Sequence, residues 1–317
     1  MGIRGLNSLI KKVCPECIST NDISKYSGKK FAIDASILLY KYRHVSNLND
    51  SCINAHISGF LYRVRYYLNN NITPVFVFDG TPPEEKKETL KKRHSNRKKI
   101  HDKIELLQQL PKDTSENQDV INKEITRLSN QIIYVTKKHV DDCKELLTLL
   151  GITYHDAPDE AEKYCVFLYK EGLVDYVVSD DTDVFTFGGY KVLKCSIKDN
   201  IIEYDIKLFI DKINYTHDKF IDFSILSGCD YLPFIPNLAI NTVYSLFKKH
   251  NSIDEIIALN KYVFPEEYNY KNIRVLFNTF NYEVPQIINN LAIDKINLKI
   301  FLNNINFKNL NKIINSF

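Results

Sequence analysis

The stretch Tyr176-Val-Val-Ser-Asp-Asp-Thr-Asp183 decides the fold, because it joins a short apolar run to a group of aspartates. β-Branched and aromatic residues followed by turn-like residues are typical of a buried parallel strand. Two earlier runs repeat this design, Phe31-Ala-Ile-Asp34 and Pro74-Val-Phe-Val-Phe78. Helical patterns lie between the strands, for example from Cys52 to Asn69 and from Val140 to Leu150. This alternation predicts an α/β fold with a mainly parallel central sheet flanked by helices.

A different kind of segment separates the second and third strands. Residues 84–110 form a strongly charged helical pattern that stops at Pro111. A polar stretch, Lys112 to Gln118, leads to a second predicted helix that runs to about Lys138. We predict that these two helices project from the sheet. After Ile201 the chain reads as helical, and residues 286–317 carry Ile, Leu and Phe at helical spacing.

The bulk composition is that of an ordinary globular protein. The 317 residues are 44% hydrophobic with a net charge of +3, and no apolar run is long enough to span a membrane. The seven cysteines and the lack of a secretory signal favour reduced thiols in an intracellular protein. Cys14-Pro-Glu-Cys17 has zinc-ligand spacing, but no second pair follows to complete a tetrahedral site.

Acidic residues stand where the three predicted strands end. Asp34 ends the first, Asp79 follows the second, and Asp181 and Asp183 follow the third. Ligands of an open α/β sheet bind beyond the carboxyl ends of its strands. One such Asp is commonly a helix cap or a turn residue, but four acids at three strand ends are harder to explain in that way. We therefore expect the carboxylates to converge.

Two further motifs add acids. In Asp156-Ala-Pro-Asp-Glu-Ala-Glu162 the proline suits a first helical turn, and Asp159 with Glu162 has capping-box spacing. Glu160 and Glu162 lie about 200° apart around a helix, so capping cannot employ both. Asp230 follows another helical pattern.

Such a crowd of like charges is costly unless cations neutralise it. Oxygen ligands favour Mg²⁺, for which Mn²⁺ can substitute. Two ions about 4 Å apart can grip a phosphodiester, which predicts two-metal hydrolysis. Asp181-Thr-Asp183 also suggests an aspartyl-phosphate phosphatase, but that pattern needs Thr or Val where this chain has Phe185.

Across nearly all of its length the sequence resembles the flap endonuclease branch of the Rad2/XPG-type structure-specific 5′ nucleases. The motifs occur in the family's order and at similar spacings. The matching segments are Met1-Gly-Ile-Arg-Gly-Leu6, Ala32-Ile-Asp-Ala-Ser36, Val75-Phe-Val-Phe-Asp-Gly80, Asp156-Ala-Pro-Asp-Glu-Ala-Glu162, Asp180-Asp-Thr-Asp-Val-Phe-Thr-Phe-Gly188 and Gly228-Cys-Asp-Tyr231.

The resemblance implies roles for individual residues. The family's metal-binding acids correspond to Asp34, Asp79, Glu160, Glu162, Asp181, Asp183 and Asp230. Its catalytic cations, carried by a helical arch, correspond to Lys86 and Arg93, and Asp181 joins them as catalytic. A spacing of seven places the two cations on one helix face. The expected DNA contacts are Gly2, Tyr40, Arg63, Lys87, Lys92, Arg97, Lys248 and Lys249.

The resemblance also implies an organisation and an activity. We expect one composite catalytic domain, made of a nuclease region (1–108), a helical arch (84–140), a second nuclease region (141–235) and a helix-turn-helix duplex-binding module with C-terminal helices (220–317). We expect an intracellular, monomeric 5′-flap endonuclease with 5′–3′ exonuclease activity, acting in DNA replication and repair on flaps, nicks or gaps. The alternatives are a 5′–3′ double-strand exonuclease of the same family, a non-catalytic junction-binding protein and a PIN-type single-strand ribonuclease.

The sequence departs from the family pattern in two places. The loop that should read Gly-x-Gly reads Asn237-Leu238-Ala239. Asn adopts the left-handed conformation readily and Ala only at a cost, so we expect a weaker or altered duplex grip and leave cation binding there open. The final Asn-Ser-Phe317 lacks the family's sliding-clamp peptide, so the sequence gives no basis for clamp binding through it.

Overall fold

The computed structural model describes residues 2–48, 54–110, 115–194, 200–286, 292–307 and 314. Four features of the sequence lie outside these ranges: Cys52 at the start of a predicted helix, Pro111, residues 112–114 of the polar stretch, and Cys195. Residues 287–291, 308–313 and 315–317 of the C-terminal tail, including Phe317, lie outside them as well.

A mixed sheet of seven strands forms the centre of the described structure, in the order β1-β7-β6-β5-β2-β3-β4. The strands β2 to β6 pair in parallel, whereas β7 runs antiparallel to both β6 and β1. The strands are β1 Ile18–Asn21, β2 Lys30–Asp34, β3 Thr73–Phe78, β4 Tyr154–Asp156, β5 Tyr176–Val178, β6 Lys191–Lys194 and β7 Ile201–Asp205.

Helices cover both faces of the sheet. In β3, Val75 and Val77 belong to one apolar core, while Phe76 and Phe78 belong to the other. Successive side chains of a strand point to opposite faces, so these two cores lie on the two sides of the sheet. The helices are α1 Leu6–Val13, α2 Ala35–Leu48, α3 Ala55–Asn69, α4 Lys87–Gln108, α5 Ser115–Ser129, α6 Lys137–Leu149, α7 Ala161–Lys170, α8 Asp183–Thr186, α9 Ile206–Lys212, α10 His217–Gly228, α11 Ile240–Phe247, α12 Ile253–Ala258, α13 Tyr270–Asn278 and α14 Lys295–Asn304.

The two helices of the predicted arch, α4 and α5, pack on each other. Ile104 of α4, Leu128 of α5 and Ile132, just after α5, form a small apolar cluster that is separate from the two main cores. The predicted end of the second arch helix at Lys138 is wrong, because α5 ends at Ser129. Thr136 and His139 form a capping box that starts α6, so Lys138 belongs to the next helix.

The predicted strands match β2, β3 and β5 to within one residue. The expectation of helical structure from Ile201 onward is wrong at its start, because β7 occupies Ile201–Asp205. This strand and β1, β4 and β6 mix polar or charged residues with apolar ones, so no continuous apolar run marks them in the sequence. The parallel neighbours β5, β2 and β3 end at the same edge of the sheet, and this edge carries the site. No helix of the described structure is long and apolar enough to cross a membrane.

Candidate active site

Asp34 anchors the site at the end of the central strand β2, where it is only 2% exposed. Its Oδ1 accepts the N–H of Ile37 at 3.0 Å, and its Oδ2 accepts the hydroxyl of Ser179 at 3.0 Å. Burial and the neighbouring charge of Asp79 raise the pKa of Asp34 to about 8. The Ser179 hydroxyl also accepts the N–H of Asp181 at 3.1 Å, so this serine ties the ends of β2 and β5 together.

Three buried carboxylates meet beside Asp34. Ligand oxygens of Glu162, Asp181 and Asp183 lie within 4.8 Å of one another. Asp183 is fully buried, and neither of its carboxylate oxygens has a hydrogen-bond partner in the described structure. Burial and the charge of Asp181 raise the pKa of Asp183 well above its usual value. Two buried oxygens without donors are what a hard cation would satisfy, so these residues fit a divalent metal ion.

Asp79, just beyond β3, is exposed and links the site to α7. Its Oδ1 accepts the N–H of Ala161 at 2.9 Å, at the first residue of α7. The capping box predicted between Asp159 and Glu162 is therefore wrong, since no side chain of the 156–162 motif caps this helix. Because Asp79 satisfies the helix end instead, Glu162 is left for the acid cluster.

Glu160 is paired with two groups that come from other parts of the chain. The ammonium group of Lys86 contacts its Oε1, and the hydroxyl of Tyr231 donates to its Oε2. The same ammonium lies 3.5 Å from Glu162. Burial alone would lower the pKa of Lys86, but the carboxylates of Glu162 and Glu160 outweigh it and raise that pKa. A charged lysine therefore lies among the acids, in the short turn that precedes α4.

Arg93 joins the arch to the last acid of the set. Its Nη2 lies 2.5 Å from Oδ2 of Asp230, which follows the end of α10. The hydroxyl of Thr89, one turn earlier on α4, donates to the backbone carbonyl of Asp230 at 2.6 Å. Both predicted catalytic cations thus reach acids of the site.

The N-terminal segment closes one side of the cluster at Gly2. This glycine has φ 83°, and a Cβ there would lie 2.1 Å from Oδ1 of Asp181. The N–H of Ile3 donates to the Thr182 hydroxyl at 2.7 Å, and the N–H of Arg4 to the carbonyl of Gly228 at 3.1 Å. Only glycine fits this conformation and this close approach.

The predicted DNA contacts near the sheet differ in their accessibility. Tyr40 is 42% exposed and lines a cavity of about 300 Å³ that also reaches Asp181. Arg63 is only 5% exposed, and its Nε donates to the Tyr42 hydroxyl at 3.3 Å. Its guanidinium also lies 5.9 Å from the ring centre of Tyr67, so the described structure holds Arg63 inside the protein rather than on its surface.

The remaining predicted contacts are lysines and an arginine at or near the surface. Lys87 and Lys92 are exposed and pair with Glu84 and Glu88 at 2.6 and 3.6 Å. Arg97 lines a cleft of about 220 Å³ with Tyr134. Lys248 and Lys249 are exposed beyond the end of α11.

The loop before α11 retains a glycine-like backbone. Asn237 has φ 66°, the left-handed conformation expected for it. Ala239 has φ −71° and ψ 157°, which is extended, so the expected cost of a left-handed alanine does not arise. Ile235 and Leu238 are buried and anchor the loop.

The Cys14–Cys17 pair has a structural role. Cys17 donates its thiol to the carbonyl of Cys14 at 2.6 Å, and both side chains are buried. Burial raises the pKa of the Cys17 thiol, which disfavours the thiolate that a zinc ion needs. The metal-ligand cluster found among the described residues is the acidic one.

Three groups of the site were missed at the sequence level. Ser179, Thr182 and Tyr231 orient acids or backbone by hydrogen bonds that span 71 to 179 residues. For Tyr231 and Thr182 the signal was their place beside or between predicted acids. Ser179 carried no such signal beyond ending a strand.

Acids at the carboxyl edge of a parallel sheet with a basic arch beside them define an XPG-type 5′ nuclease. Residues 1–100 match the family model of the XPG N-terminal domain, and residues 151–230 match that of the XPG I-region. The chain is 34% identical to Flap endonuclease 1 of Enterocytozoon bieneusi over 88% of this chain and 78% of that protein. It is 37% identical to Flap endonuclease 1 of Glycine max over 87% of this chain and 74% of that protein. The chain belongs to the flap endonuclease family and is a structure-specific 5′ nuclease.

Solved structures show the same fold. The catalytic core of Rad2 in complex with DNA substrate matches with a TM-score of 0.71 and 21% identity, over 96% of this chain and 95% of that one. Flap endonuclease-1 from Methanococcus jannaschii matches with a TM-score of 0.67 and 26% identity, over 94% of each chain.

Proposed function

We propose that this nuclease hydrolyses DNA phosphodiesters at single-strand/duplex junctions, as a 5′-flap endonuclease with 5′–3′ exonuclease activity. The observation that carries the proposal is Asp183, whose two buried oxygens have no donor among the described residues and lie beside Glu162 and Asp181. The similarity to flap endonucleases favours flap cleavage, and the relatives solved with DNA favour a DNA substrate.

Seven acids would hold two Mg²⁺ ions: Asp34, Asp79, Glu160, Glu162, Asp181, Asp183 and Asp230. When bound, Mg²⁺ lowers the pKa of a coordinated water and stabilises charge on the phosphate oxygens. The protein's own contribution is to hold the acids in place, by the hydroxyl of Ser179 at Asp34 and by that of Tyr231 at Glu160.

Lys86 and Arg93 would act on the substrate phosphate. In the described structure their charged groups are held by Glu160 and Asp230. A phosphate that enters the site offers oxygens that can replace these carboxylates as acceptors. The two cations would then stabilise charge that develops on the phosphate during cleavage to a 5′-phosphate and a 3′-hydroxyl.

The substrate would extend from the site in two directions. Tyr40 would stack on a base near the cut, beside Gly2, and the arch residues Lys87, Lys92 and Arg97 would contact the single strand. Lys248 and Lys249 would contact duplex phosphates. We retain Arg63 as a proposed duplex contact, although its burial requires a local rearrangement. The four segments would act as one monomeric catalytic unit.

The test is cleavage of end-labelled 5′-flap, nicked, gapped and blunt duplexes with Mg²⁺. We expect the flap to be cut fastest and Asp181→Ala to lose cleavage of every substrate. Asp211→Ala is the matched control, because Asp211 is an exposed acid that pairs with Lys207 on the same helix. Equal cleavage by Asp181→Ala and the wild type would overturn the proposed site, and binding without cleavage by the wild type would favour a junction-binding protein.

A further inference from the structure

Two aromatic residues that follow α13, Phe280 and Tyr282, pack their rings on α7. The Tyr282 ring packs edge-on against Tyr164 and Phe167, with ring centres 5.2 and 5.1 Å apart. The ammonium group of Lys163 lies 5.5 Å from the centre of the Tyr282 ring. The Phe280 ring also packs against the Phe167 ring, and the ammonium group of Lys170 lies 4.2 Å from the centre of the Phe280 ring. Residues 279–282 are therefore held on α7 mainly by their rings.

The hydroxyl of Tyr282 reaches beyond this aromatic seat to Asp159, at 2.5 Å from Oδ1. That same oxygen accepts the backbone N–H of Glu160 at 2.8 Å. The other carboxylate oxygen pairs with Lys163 at 3.1 Å. Every acceptor on the Asp159 side chain is thus engaged by groups that fix the segment just before α7.

Asp159 is also bonded to the loop that carries Asp79. The N–H of Gly80 donates to the backbone carbonyl of Asp159 at 2.7 Å. A Cβ on Gly80 would lie 2.0 Å from the carbonyl oxygen of Ala157, so the two loops are in direct backbone contact. Asp159 therefore helps to position two acids. One is Glu160, which follows it in the chain, and the other is Asp79, which precedes Gly80.

We propose that Tyr282 is a positioning residue, which holds Glu160 and Asp79 in their metal-binding geometry through Asp159. This inference rests on the proposed function, since it takes Glu160 and Asp79 as ligands of Mg²⁺. Groups that orient ligands from behind typically change metal affinity by about 10- to 100-fold when they are removed. Asp159 does not cap α7, and the proposal explains its side chain as the link between Tyr282 and the two acids.

Tyr282→Phe tests the proposal, because it removes the hydroxyl and keeps the ring on its seat. We expect the Mg²⁺ concentration for half-maximal flap cleavage to rise roughly tenfold, with kcat at saturating Mg²⁺ restored. Without DNA, the Kd for Mn²⁺, measured from the EPR signal of free Mn²⁺, should rise by the same factor. The melting temperature in EDTA should change little.

Tyr270→Phe is the matched control, because the Tyr270 hydroxyl also donates to a carboxylate, that of Asp254, away from the acid cluster. It should leave both metal measurements unchanged. Asp159→Ala should weaken Mn²⁺ binding at least as much as Tyr282→Phe. The double variant should be no worse than Asp159→Ala, since Asp159→Ala already removes the contact that Tyr282→Phe breaks.

Three results would overturn the proposal: unchanged Mn²⁺ binding in Tyr282→Phe, a loss of cleavage that is equal at every Mg²⁺ concentration, or additive effects in the double variant. A wild-type protein that binds Mn²⁺ yet cuts none of the substrates would instead count against the proposed function. The Mn²⁺ measurement would then still decide the role of Tyr282.

Discussion

Two buried carboxylates, Asp183 at the sheet edge and Asp222 in α10, have opposite surroundings. Asp183 has no donor to either oxygen within the described structure. Asp222 is almost as buried, yet it accepts Nε and Nη2 of Arg274 and the N–H of Ile253 at 2.9 Å. Arg274 also reaches Asp254 at 2.7 Å. Burial of an acid therefore does not by itself mark a functional group; burial without a donor does.

The largest expected effect is that of Asp183→Asn on catalysis. The substitution keeps the shape and removes the charge, which should lower kcat for flap cleavage at least about 10³-fold, since metal-assisted charge stabilisation contributes several kcal/mol. The melting temperature in EDTA should not fall, because neither oxygen of Asp183 has a hydrogen-bond donor to lose.

Asp222→Asn is the matched comparison for Asp183→Asn. It should lower the melting temperature and leave kcat near the wild-type value at a temperature where the variant is folded. The contrast fails if Asp183→Asn destabilises the metal-free protein as much as Asp222→Asn does.

Arg274→Met should have the next largest effect, on stability rather than on catalysis. It leaves Asp222 buried without its cation, which should cost about 3 kcal/mol, at the lower end for a buried pair because the Arg274 side chain is 28% exposed. Urea unfolding measures this loss. The Mg²⁺ concentration for half-maximal cleavage should be unchanged, and a large change in it would show that the two acid groups are coupled.

A further effect should appear in the pH dependence of the metal-free protein. The pKa of Asp34 is raised from 3.8 to about 8 by burial and by Asp79, so between these values the folded state binds a proton that the unfolded state does not. Stability should therefore fall as pH rises from about 4 to 8. Mg²⁺ should reduce this loss, because it binds the ionised acids.

The acid Asp254 should behave in the opposite way. Hydrogen bonds from Tyr270 and Arg274 lower its pKa, so its contribution is present above its usual pKa and is lost as pH falls through the lowered value. Melting temperatures measured from pH 3 to 9, in EDTA and in Mg²⁺, separate the contribution of Asp34 from that of Asp254. A melting temperature in EDTA that rises from pH 5 to 8 would contradict the assignment for Asp34.

The sequence predicts the centre of this fold better than its edges. The strands β2, β3 and β5 are buried on both faces, so each is a short apolar run with an acid at or just after its end. The edge strands β1 and β4 contain four and three residues and are only partly buried, so no such run marks them. An acid at the end of such a run is an unusual residue in a predictable place, so the site acids can be predicted from the sequence. Ser179 is an ordinary residue at a strand end, so its role cannot be predicted in this way.

Backbone conformation and side-chain burial are harder to predict from the sequence than the positions of the site acids. Asn237 takes the left-handed conformation, and the extended Ala239 has no strain to relieve. Arg63 is a charged residue, but it lies buried between Tyr42 and Tyr67. It is buried because its helix, α3, packs into the apolar core on one side of the sheet. Neither fact follows from a motif, since both depend on how distant segments meet.

The hydrogen bond from Ala161 to Asp79 has a consequence for how the acids are tolerated. It places the N-terminus of α7 against the carboxylates, and the aligned peptide dipoles of a helix act there as roughly half a positive charge. Unlike a lysine or a bound ion, this charge belongs to the backbone and can be neither substituted nor chelated away. The peptide chain itself therefore supplies a permanent share of the neutralisation, which should let the protein remain folded while its metals exchange.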